Sequence, residues 1–156
     1  MSKKYPVIAV ALALMVGFAL ASMAGLSGCD TSPHDPVTQL LSIDEADLIV
    51  GPKKGKLYVF VDVHSHDNIL KSLSADEATQ LLHRTAVHLS QRYMAKETYL
   101  KFTEGSVDVV SIPNKNEYGN GDFSSMVRHG SLTVTRRSDG SLVVSTDTLQ
   151  YRRTGN

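Results

Sequence analysis

The hydrophobic period of this chain changes twice along its length, and that limits its fold more than any other feature. Over residues 56–63 apolar side chains alternate. Leu57, Val59, Val61 and Val63 fall on one face and Tyr58 and Phe60 on the other. Apolar groups on both faces predict an interior strand. Over residues 74–97 the period becomes helical, with Ala75, Ala78, Leu81, Leu82, Ala86, Leu89 and Tyr93 along one side. Ser74 with Glu77 reads as a capping box, and Asp76, Glu77 and Lys96 sit where the helix dipole favours their charges. Alternation then returns. Residues 99–102 and 107–112 read as strands around Glu104-Gly105. Residues 132–135 and 142–145 flank Ser138-Asp139-Gly140, a hairpin signal, and residues 113–122 form a polar loop. The pattern predicts an α+β fold: a largely antiparallel sheet of about five strands, with one long helix on a face.

The front of the chain is of another kind. Residues 1–5 carry Lys3 and Lys4 and no acid, and residues 7–20 are an unbroken apolar run. A basic segment followed by such a run is the layout of a secretory signal peptide. The stretch closes on Leu26-Ser27-Gly28-Cys29. In these residues the chain resembles the bacterial lipoproteins, whose lipobox is a leucine, two small residues and a cysteine. The resemblance implies cleavage between Gly28 and Cys29, a diacylglycerol group on the Cys29 thiol, and N-acylation of the new terminus. Asp30 resembles the inner-membrane retention signal of enteric-type lipoproteins. It implies a lipid-anchored protein on the inner membrane facing the periplasm, with the outer membrane as the alternative. An uncleaved membrane helix over residues 7–26 competes with this reading, but the small residues before Cys29 favour cleavage.

Cys29 is the single cysteine, so no intramolecular disulfide forms and the fold depends on its core. Residues 1–28 are expected to leave as the signal peptide. Residues 29–55 supply the lipidated cysteine and a tether stiffened by Pro33 and Pro36. A short helix near residues 42–50 is expected at its end, with Ser42 and Glu45 as a capping box and Gly51-Pro52 as the stop. Residues 56–156 are expected to form one periplasmic domain. Lysine plus arginine equals aspartate plus glutamate at 16 each, and cleavage removes only Lys3 and Lys4 from that balance. Near-neutrality gives no reason to expect a nucleic-acid partner.

One segment invites a chemical reading. On a strand, Asp62, His64 and His66 would share a face, and two imidazoles with a carboxylate can hold zinc or iron. These residues resemble the first-strand His-x-His of amidohydrolase-type metal-dependent hydrolases. That barrel needs about 250 residues, whereas removing residues 1–28 from 156 leaves 128. His83 and His88, five residues apart, lie about 140° apart on a helix and cannot easily share an ion. No nucleophile elbow or phosphate-binding glycine loop is present. No catalytic residue and no further cofactor are therefore expected. The expected function is that of a non-enzymatic binding or accessory module of the cell envelope, in secretion, conjugation or a phage-type role. It would hold the membrane through its lipid and meet a protein partner. The alternative is a small metal-binding protein or metal-dependent enzyme centred on Asp62, His64 and His66.

Overall fold

The computed structural model describes residues 40–116, 121 and 123–153. The expected signal peptide, Gly28, Cys29 and residues 30–39 of the expected tether lie outside the described residues. So does part of the polar loop. The described residues all belong to the compact unit His34–Asn156.

Five strands form one sheet in the order β1-β2-β3-β4-β5: β1 Leu48–Lys53, β2 Lys56–Asp62, β3 Glu104–Ser111, β4 Val127–Arg136 and β5 Leu142–Asp147. Only β2 and β3 run parallel; the other neighbours are antiparallel. The parallel pair is joined by two helices, α1 Asp67–Ser72 and α2 Ala75–Met94. The fold is α+β with a mostly antiparallel sheet, as the change of period predicts.

The helix expected near residues 42–50 is instead a 3-10 turn, Glu45–Asp47, followed by β1. Gly51 and Pro52 do not stop a helix; they pair with Tyr58 and Leu57 of β2. Pro52 is tolerated because β1 is an edge strand, which leaves one side of its backbone unpaired. Lys54 and Gly55 turn the chain with positive φ at both residues, 52° and 79°, as a two-residue type I′ hairpin requires. The domain thus starts before residue 56.

β2 follows its alternation, with Leu57, Val59 and Val61 buried beneath α2. α2 begins where its capping box places it. The Glu77 amide donates to Ser74 Oγ at 3.3 Å, and the Ser74 amide donates to Glu77 Oε2 at 2.9 Å. The Ser74 hydroxyl, which donates to Glu77 Oε2 at 2.7 Å, and after it the Ser74 amide hold the Glu77 carboxyl below its ordinary pKa. Ser74→Ala is expected to cost about 1 kcal/mol in urea unfolding; an unchanged midpoint would remove the cap from the account. The helix buries Leu81, Leu82, Ala86 and Leu89 against Val107 and Val109 of β3 and Leu132 and Val134 of β4.

α2 ends at Met94, short of Glu97, because Arg136 caps it: its Nη2 donates to the Met94 carbonyl at 2.6 Å. The strand expected at residues 99–102 is replaced by a 3-10 turn, Glu97–Tyr99. Glu104-Gly105 is no turn but the start of β3, held between β2 and β4. The hairpin around Ser138-Asp139-Gly140 forms as expected, with Gly140 at φ 85°.

Candidate functional site

The parallel pair sends the carboxyl ends of β2 and β3 to one end of the sheet, where side chains from successive connections meet. Asp62, the last residue of β2, is 1% exposed. Its Oδ1 accepts the amides of His64 and Ile112, each at 3.0 Å, and so ties the two connections together. A carboxylate that accepts the amide two residues onward favours a turn over an extended chain. Here the strand stops at Asp62, and His64–His66 form a 3-10 turn.

Asp62, His64 and His66 therefore do not share a strand face, which corrects the geometric premise for a metal centred on them. His64 Nδ1 lies 3.2 Å from Asp67 Oδ2, within ion-pair range but out of line for a hydrogen bond. His66 Nδ1 faces Ser65 Oγ at 3.0 Å, and that hydroxyl donates to Asp47 Oδ2 at 3.3 Å. Lys115 Nζ donates to Asp47 Oδ1 at 2.7 Å, and this bond raises the ammonium pKa. Among the described residues no three His, Cys, Asp or Glu side chains are placed to hold one metal ion.

Beneath this end lies a buried polar chain that the sequence does not announce. The Arg152 amide donates to His129 Nδ1 at 3.1 Å. The imidazole proton must then sit on Nε2, which faces Ser111 Oγ at 3.0 Å. The Ser111 hydroxyl in turn donates to Asp67 Oδ1 at 3.2 Å. All donors run one way, from the C-terminal segment through β4 and β3 to α1. Burial pushes the His129 pKa down from 6.5 to about 4, with the nearby charges as smaller influences, so the ring is neutral. Tyr151 stacks on it, with ring centroids 5.4 Å apart.

Serine, histidine and aspartate in contact invite comparison with a nucleophilic triad, but the order is wrong for one. In a triad the carboxylate orients the imidazole and the imidazole takes the hydroxyl proton. Here the hydroxyl proton goes to the carboxylate, and the imidazole nitrogen facing the serine already bears one. Ser111 and His129 are also sealed from solvent. This chain of bonds is built to hold four segments together.

His129 reaches the core through a bulge. Val109 pairs with Gly130 and Val110 with Arg128, so His129 is the extra residue of β4. It faces the same side as Leu132 and Val134, although its position is odd and theirs are even. A bulge re-aims a side chain in this way. The glycine after the histidine is the one sequence signal that could have located it.

The opposite face of the sheet carries a second feature. Tyr58 and Phe60 of β2 and Ile49 of β1 border a hollow of about 290 Å³, with Phe123 and Met126 beside them. Ile49 is 56% exposed and Phe123 40%. Lys53 and Arg128 also line it, and Lys53 Nζ sits 4.3 Å from the Tyr58 ring centroid. The Tyr58 hydroxyl donates to Asp108 Oδ2 at 2.6 Å; burial first, and this bond second, raise its pKa. The alternation puts Tyr58 and Phe60 on this face, but only the strand register brings Lys53, Asp108 and Arg128 beside them.

No protein family, no curated protein and no solved structure matches the chain. No helix among the described residues is long and apolar enough to cross a membrane.

Proposed function

We propose that this chain is a membrane-anchored bacterial lipoprotein whose small periplasmic domain binds another envelope component and carries out no catalysis. The observation that carries the binding role is the sheet face opposite α2. There exposed Ile49 and Phe123 stand beside Tyr58 and Phe60, with two cations at the rim. Clustered rings and an arginine on an exposed surface are the composition of contact sites. The buried Asp67–Ser111–His129 chain supports the same reading, since its hydroxyl–imidazole pair is engaged in holding the fold.

The anchor rests on the leader and lipobox, Leu26-Ser27-Gly28-Cys29. Two or three acyl chains, at about 0.8 kcal/mol per buried methylene, hold a protein on a membrane unaided. Asp30, by resemblance to the retention signal, supports the inner membrane over the outer. Labelled palmitate should enter the wild-type chain and leave Cys29→Ala unlabelled. Equal labelling of both would end the lipoprotein reading. Crosslinking in intact membranes should trap a specific protein partner, and trapping that survives Ile49→Asp with Phe60→Ser would move the contact off this face.

A further inference from the structure

We propose that the hollow on the open sheet face recognises a carboxylate-bearing, extended segment of a partner protein, held between Lys53 and Arg128 over the Tyr58 and Phe60 rings. This rests on the binding role proposed above and adds the chemistry of what is bound.

Charge points to an anion. Among the described residues three charged side chains line the hollow: Lys53 and Arg128 against Asp108. Asp108 is engaged by the Tyr58 hydroxyl at 2.6 Å, and neither cation forms an ion pair with any described residue. Lys56, on the neighbouring part of the same face, is by contrast paired with Glu104. The cations are exposed, yet Lys53 is not left to wander, because its ammonium rests 4.3 Å from the Tyr58 ring centroid. Arg128 offers the planar fork that grips a carboxylate with two parallel bonds.

Shape favours a protein segment over a bilayer. A membrane surface is met by protruding apolar groups, whereas this site is a hollow of about 290 Å³ floored by β-strands. Its size suits a few side chains of an extended strip, acid against the cations and apolar groups on the rings. Recognition runs through side chains and not through the free edge of β1. Pro52, on that edge, has no N–H to give to an added strand.

The test titrates the full chain in detergent micelles, labelled with ¹⁵N, with the blocked peptide acetyl-Glu-Leu-Glu-Leu-Glu-Leu-amide. Its glutamine counterpart and glycerol phosphate, the soluble head group of an anionic lipid, are run beside it. The glutamate peptide is expected to shift the amides of Ile49, Phe60 and Arg128. Its affinity should fall at least about tenfold in Lys53→Gln with Arg128→Gln, and by less in Arg128→Lys, which keeps the charge but loses the planar fork. Equal binding of the two peptides, unchanged binding by the double variant, or shifts confined to other residues would overturn the proposal. Glycerol phosphate shifting these amides while the peptide does not would overturn it in favour of a lipid surface. Membrane crosslinking separates the two levels. A partner trapped equally by wild type and the double variant removes the anion chemistry and leaves the binding role. No specific partner in either case removes the role itself.

Discussion

Gly130→Ala is expected to destabilise the domain by about 2–6 kcal/mol, a large part of the roughly 5–15 kcal/mol that holds an ordinary domain folded. Two separate costs meet at this position. Gly130 has a φ of 116°, which a side-chain-bearing residue adopts only with about 1–3 kcal/mol of strain. A methyl group there would also stand 2.2 Å from the Thr148 carbonyl oxygen and 3.1 Å from Leu149 Cα. The segment it strikes cannot easily withdraw. The Thr148 amide donates to the Ser131 carbonyl at 2.9 Å and the Gln150 amide to the His129 carbonyl at 2.7 Å, one on each side of the glycine. Relief of the overlap would loosen these bonds and Tyr151 with them, adding about 1–3 kcal/mol. Gly140→Ala separates the two costs. That glycine also has positive φ, at 85°, but nothing lies within 4 Å of its added methyl, so only about 1–2 kcal/mol is expected. Equilibrium unfolding followed by far-UV circular dichroism measures both. If Gly130→Ala costs no more than Gly140→Ala, the close approach of residues 148–149 is not a constraint.

The parts of the fold visible in the sequence are those where one long period runs uninterrupted and its local chemistry agrees. α2 has seven apolar positions on one side and a capping box at its start, and it begins at the expected residue. β2 alternates over its whole length and lies inside the sheet, as two apolar faces require. The misread segments are those whose state is decided by partners distant in sequence. Gly51-Pro52 carries helix-stop chemistry, but the hairpin through Lys54 and Gly55 makes it a strand edge. Glu104, Gly105 and Ser106 are poor strand formers taken alone; pairing on both sides overrides that preference. Asp62, His64 and His66 alternate as on one strand face, but the Asp62 carboxylate accepts two backbone amides and the strand ends there. The Asp67–Ser111–His129 chain was invisible because a single inserted residue in β4 reverses which face His129 takes. No periodicity reports a change of parity that one bulge creates.

That buried histidine should make stability depend on acidity in a definite direction. His129 titrates near 6.5 when unfolded, and burial lowers it to about 4 in the fold. Between these values the unfolded chain takes up a proton that the folded chain refuses. The contribution is therefore complete above about pH 6.5 and is lost as pH falls towards about 4, amounting to roughly 3 kcal/mol. The groups facing the ring oppose one another. Asp67 and Asp62 favour the protonated form, while Arg152 opposes it. The bond pattern adds its own reason. A proton on Nδ1 would face the Arg152 amide, which already donates there at 3.1 Å, so protonation must displace the C-terminal segment. Because carboxylates titrate in part of the same range, the readout is the difference between wild type and His129→Gln. Glutamine can donate to Ser111 and accept from Arg152 without titrating. Urea unfolding from about pH 7 to about pH 4 should show the wild type losing roughly 3 kcal/mol more than the variant, with the gap opening below about pH 6.5. The imidazole resonances of His129 should stay those of the Nε2–H tautomer down to about pH 5, one unit above its folded-state value. Parallel stability curves for the two proteins, or a ring that protonates near its ordinary value without loss of structure, would show that the chain from Arg152 to Asp67 tolerates the charge.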